Sequence, residues 1–351
     1  MRATFKSIPT GLMAVLGPLA ALALLLSVSG CGTTASATTT VAGPTPAGAL
    51  KVFNSYVTAE KVAVANHDQL LAESLTSSAQ YTLRASQYAS AAATGTPVTA
   101  PTYGKPTLYV PKLTTYPLWF MVAAPEYPAH GGQRGTALMV FDRPGAGSPW
   151  ALNGTALLGK DTPALPVAVD KHGYATALAT TDTKPLLRPD AVGAMHASVV
   201  DDGPASAAAS VVERGPDTTG LYQANAAEAK RVRPDHYIYT WEMEGTSYPV
   251  FALRSTGGGA VVFYTMTLNR QTVPATKPPA HPKVQPPSIP VPDVYKPLIG
   301  PGQTPFIREF DADSTLQFLA VDPPAAKNGS TTTGKLRVIG RGGGVTYAGG
   351  S

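Results

Sequence analysis

Hydrophobic residues recur at helical spacing early in the chain and at alternate positions later. Thr45 and Pro46 combine a favoured helix cap with a favoured first helical residue. An apolar stripe follows them, formed by Leu50, Phe53, Tyr56, Val57 and Val64. A second stripe contains Leu70, Leu71, Leu75 and Leu83, and ends before Gly95. This pattern predicts a helical hairpin or one bent helix over about 46–92.

The pattern then changes to β-rich runs that are separated by turn residues. In the first half, strands are predicted at 107–113, 116–123, 136–141 and 150–158. The second half repeats this order, with a helix predicted at 189–200. The strands predicted after that helix are 221–226, 236–243, 248–253, 260–268, 315–321 and 335–339. Helices followed by a strand meander are typical of an α+β domain.

Two pairs of similar segments indicate that this order is an internal duplication. The segment 115–120 resembles 247–252, and 137–141 resembles 260–264. Chance likeness between two hairpins is the alternative. We therefore expect an α+β fold with two tandem domains, each with an N-terminal helix or helix pair packed on a curved antiparallel sheet. The expected domain 1 is 46–165, the linker is 166–186 and domain 2 is 187–345.

A proline-rich segment interrupts the second predicted domain. Nine prolines fall within 273–297, and proline cannot donate a hydrogen bond to a sheet. The segment is therefore predicted to be an extended insertion and not a central strand. Two interpretations stay open, namely a ligand for aromatic grooves or wall polymers, and a surface connection that packs over the sheet.

The N-terminus has the layout of an export signal. Arg2 and Lys6 precede an apolar run at 11–26, which is shorter than the roughly 20 residues of a membrane span. Val28 to Gly30 come directly before Cys31, and this resembles the bacterial lipobox. The resemblance implies a signal peptide at 1–30 and lipidation of Cys31. The segment 31–45 is rich in Thr, Ala, Ser and Gly without apolar periodicity, which predicts a flexible tether. The alternatives are an ordinary secretory signal and an uncleaved helix.

Composition excludes several classes of function. The chain has 27 basic and 22 acidic residues, and removal of 1–30 takes away only Arg2 and Lys6, which leaves a net charge of +3. A charge this small predicts no nucleic-acid partner. Since Cys31 is the only cysteine, the mature body is predicted to contain no disulfide. We also predict no cofactor and no metal, because Lys335 of a P-loop-like run is followed by Leu336 and the histidines have no ligand spacing.

Two groups of side chains are candidates for function. One is an aromatic set that could line a ligand pocket on the sheet: Tyr116, Trp119, Trp150, Tyr239, Trp241 and Tyr248. Packing of these residues in a core is the alternative. The other is a hydrolase site assembled only in three dimensions, drawn from His172, His196, His236, Glu242 or Glu244. No catalytic residue is predicted from local motifs.

Taken together, the lipobox and the order of elements resemble the uncharacterised secreted lipoproteins of actinobacteria, and each unit resembles a cystatin-like or NTF2-like module. The resemblance implies an extracytoplasmic protein held on the cell membrane through Cys31. The leading hypothesis is a binding or interaction module for an envelope protein or glycan. The alternatives are an envelope hydrolase and a carrier of an apolar ligand.

Overall fold

Helices open the described chain, as the apolar spacing predicts. The computed structural model describes residues 41–129, 131–276, 287–326 and 334–351. The first helices are α1 (Pro46–Ala65), α2 (Gln69–Ser74) and α3 (Ser78–Thr94). The Thr45 side chain accepts a hydrogen bond from the Gly48 amide at 3.1 Å, so the predicted cap is confirmed.

The first half continues with short strands. They are β1 (Thr102–Tyr103), β2 (Thr107–Pro111), β3 (Leu118–Tyr127), β4 (Gly135–Arg143), β5 (Ala151–Leu158) and β6 (Tyr174–Ala175). Strands β2 to β5 form an antiparallel meander. The four predicted strands of this half are therefore confirmed, with small shifts at their ends.

The second half again places helices before strands. The helices are α4 (Val192–Asp202) and α5 (Thr219–Val232). The strands are β7 (Tyr237–Gly245), β8 (Phe251–Arg254), β9 (Ala260–Pro274), β10 (Phe310–Asp322) and β11 (Arg337–Gly350). The strand predicted at 221–226 is wrong, because this segment lies within α5. A short apolar run cannot separate the two element types, and the basic Lys230 and Arg231 favour the C-terminal end of a helix.

The prediction of two tandem helix-on-sheet domains is also wrong. All strands belong to one sheet-dominated domain whose strands form a nearly closed barrel. The halves join where β5 pairs with β11, with Leu158 opposite Gly340. The physical reason is that a separate sheet in each half would leave two edge strands with unpaired backbone groups. Pairing the halves with each other removes those edges.

The segment expected to be a linker connects the two halves on the other side of the barrel. Val110 of β2 pairs in parallel with Tyr174 of β6. Directly after β6, Ala177 pairs with Leu253 of β8, and the Leu178 amide donates to the Ala252 carbonyl at 2.9 Å. Residues 174–178 thus lie between β2 and β8 and bring the sheet close to full closure.

The barrel interior is filled by side chains from both halves. Alternate residues of the strands meet in one buried cluster, which includes Trp119, Met121, Leu138, Val140, Phe251, Leu253, Val261, Phe263 and Leu319. Trp119 and Phe251, which correspond in the predicted duplication, have ring centroids 5.2 Å apart. The two similar segments therefore supply equivalent positions within one core instead of two separate cores.

Helices cover the outer faces of the barrel. Phe53 and Tyr56 of α1 pack on Phe120 and Phe141 of β3 and β4. On the other half, α4 packs against the outer side chains of β8, β9 and β10. Helix α3 packs against both β5 and β11, so the helical layer of the first half also covers the junction with the second half.

The strands of the second half extend beyond the barrel. Strand β9 pairs with β8 near its start, where Ala260 opposes Arg254, and with β7 along 266–274. We call the part formed by β7 with 266–274, 310–316 and 343–350 the sheet extension. Helix α5 packs on one face of this extension through β7 and provides one wall of the site described next.

Candidate ligand-binding cleft

The six aromatic residues predicted to line one pocket do not lie together. Trp119 is 8% exposed and belongs to the barrel interior. Trp150 packs edge-on against Phe120 on the outer face of the first half, with centroids 5.2 Å apart. The Tyr116 ring lies about 6.0 Å from the Arg143 guanidinium in the same half. These aromatic side chains of the first half therefore serve packing.

The remaining three aromatic residues belong to the second half, where Trp241 and Tyr239 border two separate clefts. Tyr248 is half-buried in the connection between β7 and β8. The Trp241 indole donates a hydrogen bond to the Val200 carbonyl at 3.1 Å, which fixes α4 to β7. Tyr239 lines a cleft beside α5.

The histidines and glutamates of the predicted hydrolase site are not brought together. His196 is fully buried, with its Nδ1 2.9 Å from the Tyr264 hydroxyl and its Nε2 2.6 Å from the Asp217 carbonyl oxygen. Burial lowers the pKa of His196 to about 4, although the bond to the Asp217 carbonyl opposes this shift. The other members are exposed, namely His172, His236, Glu242 and Glu244.

Within the part of the chain that the structure describes, no three metal-ligating side chains lie close enough together to hold a metal ion. No helix in the described ranges is both long and apolar enough to cross a membrane. The proposed lipidation site, Cys31, lies outside these ranges.

A cleft of about 500 Å³ lies between α5, the sheet extension and the segment 290–295. We call it the α5 cleft. Its volume falls within the range of small-molecule sites. Strands β7, β9 and β10 form its floor, and the segment at the end of the proline-rich region forms the wall opposite α5. The part of that region at 277–286 lies outside the described residues.

Arg270 supplies a cationic side chain to the floor of the α5 cleft. Its Nε donates to Asn225 Oδ1 at 3.3 Å, and its Nη1 donates to Ser314 Oγ at 2.9 Å. Among the described residues, no carboxylate forms an ion pair with Arg270. Its two geometrically clear hydrogen bonds use Nε and Nη1, and its guanidinium also lies close to the Tyr239 hydroxyl. A guanidinium without an anionic partner is a ready binding group for an anionic oxygen.

Asn225 supplies a second unpaired donor to the same cleft. This residue is only 4% exposed, and its Oδ1 accepts from the Tyr239 hydroxyl at 3.0 Å as well as from Arg270. Since Arg Nε–H can only donate, the atom that faces it must be the amide oxygen. The buried Nδ2 therefore carries two hydrogens, and it has no partner within the described chain.

Tyr239 fixes the orientation of the Asn225 amide. Burial raises the pKa of the Tyr239 hydroxyl well above its ordinary value, whereas the nearby Arg270 lowers it to a smaller extent. The hydroxyl therefore remains protonated and donates its hydrogen to Asn225 Oδ1. This bond leaves the two Asn225 amide hydrogens without a partner in the described chain.

Other buried polar atoms without a partner occur away from the cleft. They belong to Gln80, Arg84, Tyr88 and Asp322. None of these residues lines the α5 cleft, so Asn225 differs from them in being both unpaired and next to open space. A buried donor in this position can form a hydrogen bond with a bound molecule.

The wall opposite α5 is mostly apolar. Pro290, Val291, Pro292 and Tyr295 line it, and Phe310 closes the floor below them. Two ion pairs lie near the cleft, Arg231 with Glu228 and Lys296 with Asp293, each with a separation of 2.6 Å. The cleft therefore combines one polar, cationic end with an apolar side.

Sequence reasoning missed this site because it assigned 221–226 to a strand. One signal was present, since Asn225 is a polar residue flanked by Ala224 and Ala226 in a run that ends with Lys230 and Arg231. The pairing of Asn225 with Arg270 depends on the tertiary fold and has no local signature.

Comparisons with known proteins agree with a single unit. One protein-family model matches residues 43–350, and its description is domain of unknown function (DUF8094). No curated protein and no solved structure matches the chain. The matched range covers both halves of the barrel and the α5 cleft.

Proposed function

Because the chain belongs to the DUF8094 family, whose description assigns no activity, we propose a function from the cleft itself. The protein is an extracytoplasmic binding protein that is anchored to the cell membrane through Cys31. Its α5 cleft takes a small ligand through an anionic oxygen group. An envelope metabolite or the end of an envelope glycan would offer such a group.

The unpaired Nδ2 of Asn225 next to Arg270 carries this proposal. A buried donor without a partner destabilises a fold by about 1–3 kcal/mol, so such groups are rare in native proteins. Here both residues line the same cleft, and one of the two donors is charged. A ligand oxygen that accepts from both would restore the missing hydrogen bonds.

The packed barrel interior also favours the cleft as the binding site. Trp119, Phe251 and Phe263 fill the space in which many β-barrels hold an apolar cargo. A carrier function inside the barrel therefore has no structural support, and the polar end of the cleft favours an anionic ligand over a purely apolar one.

Calorimetric titration of the full chain, held in lipid nanodiscs, tests the binding function. We expect 3-phenylpropionate or phenyl phosphate, which carry anionic oxygens, to bind more tightly than the neutral 3-phenylpropan-1-ol. Arg270→Gln should abolish this preference, whereas Arg134→Gln, which removes an exposed arginine of the first half, should keep it. Equal binding of the alcohol and both anions, or no binding of any of the three, would contradict the proposed function.

Membrane anchoring needs a separate test. In cell fractions, we expect the parent chain in the membrane and the Cys31→Ser variant to lose acylation and the cleavage that follows it. Ser36→Ala, five residues further on, is the matched control and should behave as the parent. A Cys31→Ser variant that is still acylated and processed would overturn the anchoring proposal without affecting the binding proposal.

A further inference from the structure

We infer that the α5 cleft selects a monocarboxylate with an apolar body over a phosphate. This inference rests on the proposed function, because it assumes that the cleft binds an anionic oxygen group. Three independent features of the cleft support it: its charge, the geometry of its donors and the composition of its wall.

The charge around the cleft leaves one positive charge for a ligand. Arg231 is paired with Glu228, and Lys296 is paired with Asp293. Arg270 is the remaining cation that borders the cleft in the described chain, and it has no carboxylate partner there. A monoanion would neutralise Arg270, whereas a dianionic phosphate would bring a second negative charge into a cleft that Glu228 also lines.

The donors match a carboxylate better than a phosphate. Arg270 Nη2 and Asn225 Nδ2 belong to neighbouring side chains, because Arg270 Nε donates a hydrogen bond to Asn225 Oδ1. Two neighbouring donor groups can satisfy the two oxygens of a planar carboxylate. A phosphate has a third terminal oxygen that would need a further donor, and buried oxygens without partners weaken binding.

The wall of the cleft fits an apolar body next to the carboxylate. Pro290 and Pro292 are rigid, so their surfaces are available without loss of side-chain freedom. Tyr295 and Phe310 add aromatic faces, with ring centroids 5.6 Å apart. Burial of an aryl or alkyl group against these four residues supplies the apolar contribution to binding.

Competitive calorimetry on the full chain in nanodiscs tests the selectivity. At pH 7.5, where phenyl phosphate is mostly a dianion, we expect 3-phenylpropionate to bind at least about tenfold more tightly than phenyl phosphate. Acetate, which lacks the apolar body, should also bind at least about tenfold more weakly than 3-phenylpropionate. Empty nanodiscs provide the blank for partition of the aromatic probes into lipid.

The variant Asn225→Asp gives the sharpest comparison. It keeps the shape of the side chain but replaces the free donor with a carboxylate oxygen beside Arg270. We expect loss of 3-phenylpropionate binding with an unchanged or higher melting temperature. Asn54→Asp, at an exposed position of α1, adds the same charge far from the cleft in sequence and should bind like the parent.

The possible binding results test the carboxylate inference and the proposed function separately. Tighter binding of phenyl phosphate than of 3-phenylpropionate would overturn the carboxylate inference but leave the proposed function intact. Unchanged 3-phenylpropionate binding by a folded Asn225→Asp variant would show that the carboxylate binds elsewhere and would also overturn the inference. Equal binding of the neutral alcohol, or no binding at all, would overturn the proposed function and the inference with it.

Discussion

The two halves of the barrel use matched hairpins, but only the second half extends past the barrel to form the α5 cleft. Strands β3, β4 and β5 contain 10, 9 and 8 residues, whereas β9, β10 and β11 contain 15, 13 and 14. The matched parts meet in the interior and supply stability. The extra length of the second half lies outside that core and positions polar side chains next to open space.

A pair of arginines shows the same difference. Arg84 of the first half is buried, and its Nη2 lies 2.5 Å from Glu60 Oε1 and 3.2 Å from the Tyr56 hydroxyl. Arg270 of the second half has no carboxylate partner in the described chain. The first arginine therefore completes a structural ion pair, whereas the second keeps its charge for another molecule.

Among the variants that test this comparison, removal of a large interior side chain should change the free energy of unfolding most. We expect Trp119→Ala and Phe251→Ala each to lower the free energy of unfolding by about 3–5 kcal/mol. Because the two rings are in contact, the double variant should lose less than the sum of the single variants. Leu70→Ala, at a side chain that is 80% exposed, is the control and should change stability little.

The same variants test whether the halves unfold together. Trp119 and Trp150 report on the first half and Trp241 on the second, so fluorescence and circular dichroism in urea follow both. One cooperative barrel predicts a single transition in Phe251→Ala, with the same midpoint for all signals. If Phe251→Ala unfolds the second half while Trp150 remains in its native environment, the halves are independent units.

The next largest change in the free energy of unfolding should come from the titration of a buried carboxylate in the second half. Asp322 is fully buried, and burial raises its pKa to about 7, although the Leu187 amide, which donates to its Oδ2 at 2.9 Å, opposes the shift. Between about pH 4 and pH 7 the folded protein therefore holds a proton that the unfolded chain releases. The contribution of Asp322 to stability falls as the pH rises through this window, by up to about 4 kcal/mol.

Asp322→Asn removes this titration. Relative to the parent, its free energy of unfolding in urea should increase from pH 4 to pH 7 and stay constant above pH 8. The quantity to measure is the difference in the free energy of unfolding between variant and parent. Buried, neutral His196 makes the stability of both proteins rise with pH below about pH 6.5, which is opposite to the effect of Asp322, and the difference removes this shared contribution. Asp161→Asn, at an exposed carboxylate, is the control, and a flat difference for Asp322→Asn would contradict the assignment.

The sequence predicts local structure here better than it predicts how the halves combine. Regular apolar spacing and the Thr45 cap locate α1, and alternation locates most strands. The pairing of Ala177 with Leu253 depends on two segments more than seventy residues apart, so no local pattern indicates closure. The α5 cleft was missed for the same reason, because Asn225 and Arg270 meet only after β9 passes beneath α5.

The smallest effect should come from giving Arg270 the carboxylate partner that Arg84 already has. Asn225→Asp replaces an unpaired buried amide with an oxygen that can form an ion pair with Arg270. The cost of burying the new carboxylate offsets part of this gain, so we expect the free energy of unfolding to rise by only roughly 0.5–1 kcal/mol at pH 7. Urea denaturation with Asn54→Asp as the control measures it.

Acid should abolish this gain. A carboxylate paired with an arginine has a lower pKa in the folded state than the ordinary value of about 3.9, so its stabilising contribution is present at neutral pH and is lost as the pH falls below about 4. A loss of stability at pH 7 would mean that Arg270 already has a partner or that the Asn225 amide hydrogens are satisfied. A gain would show that the second half gives up stability at this position, which is expected where a side chain is kept for a ligand.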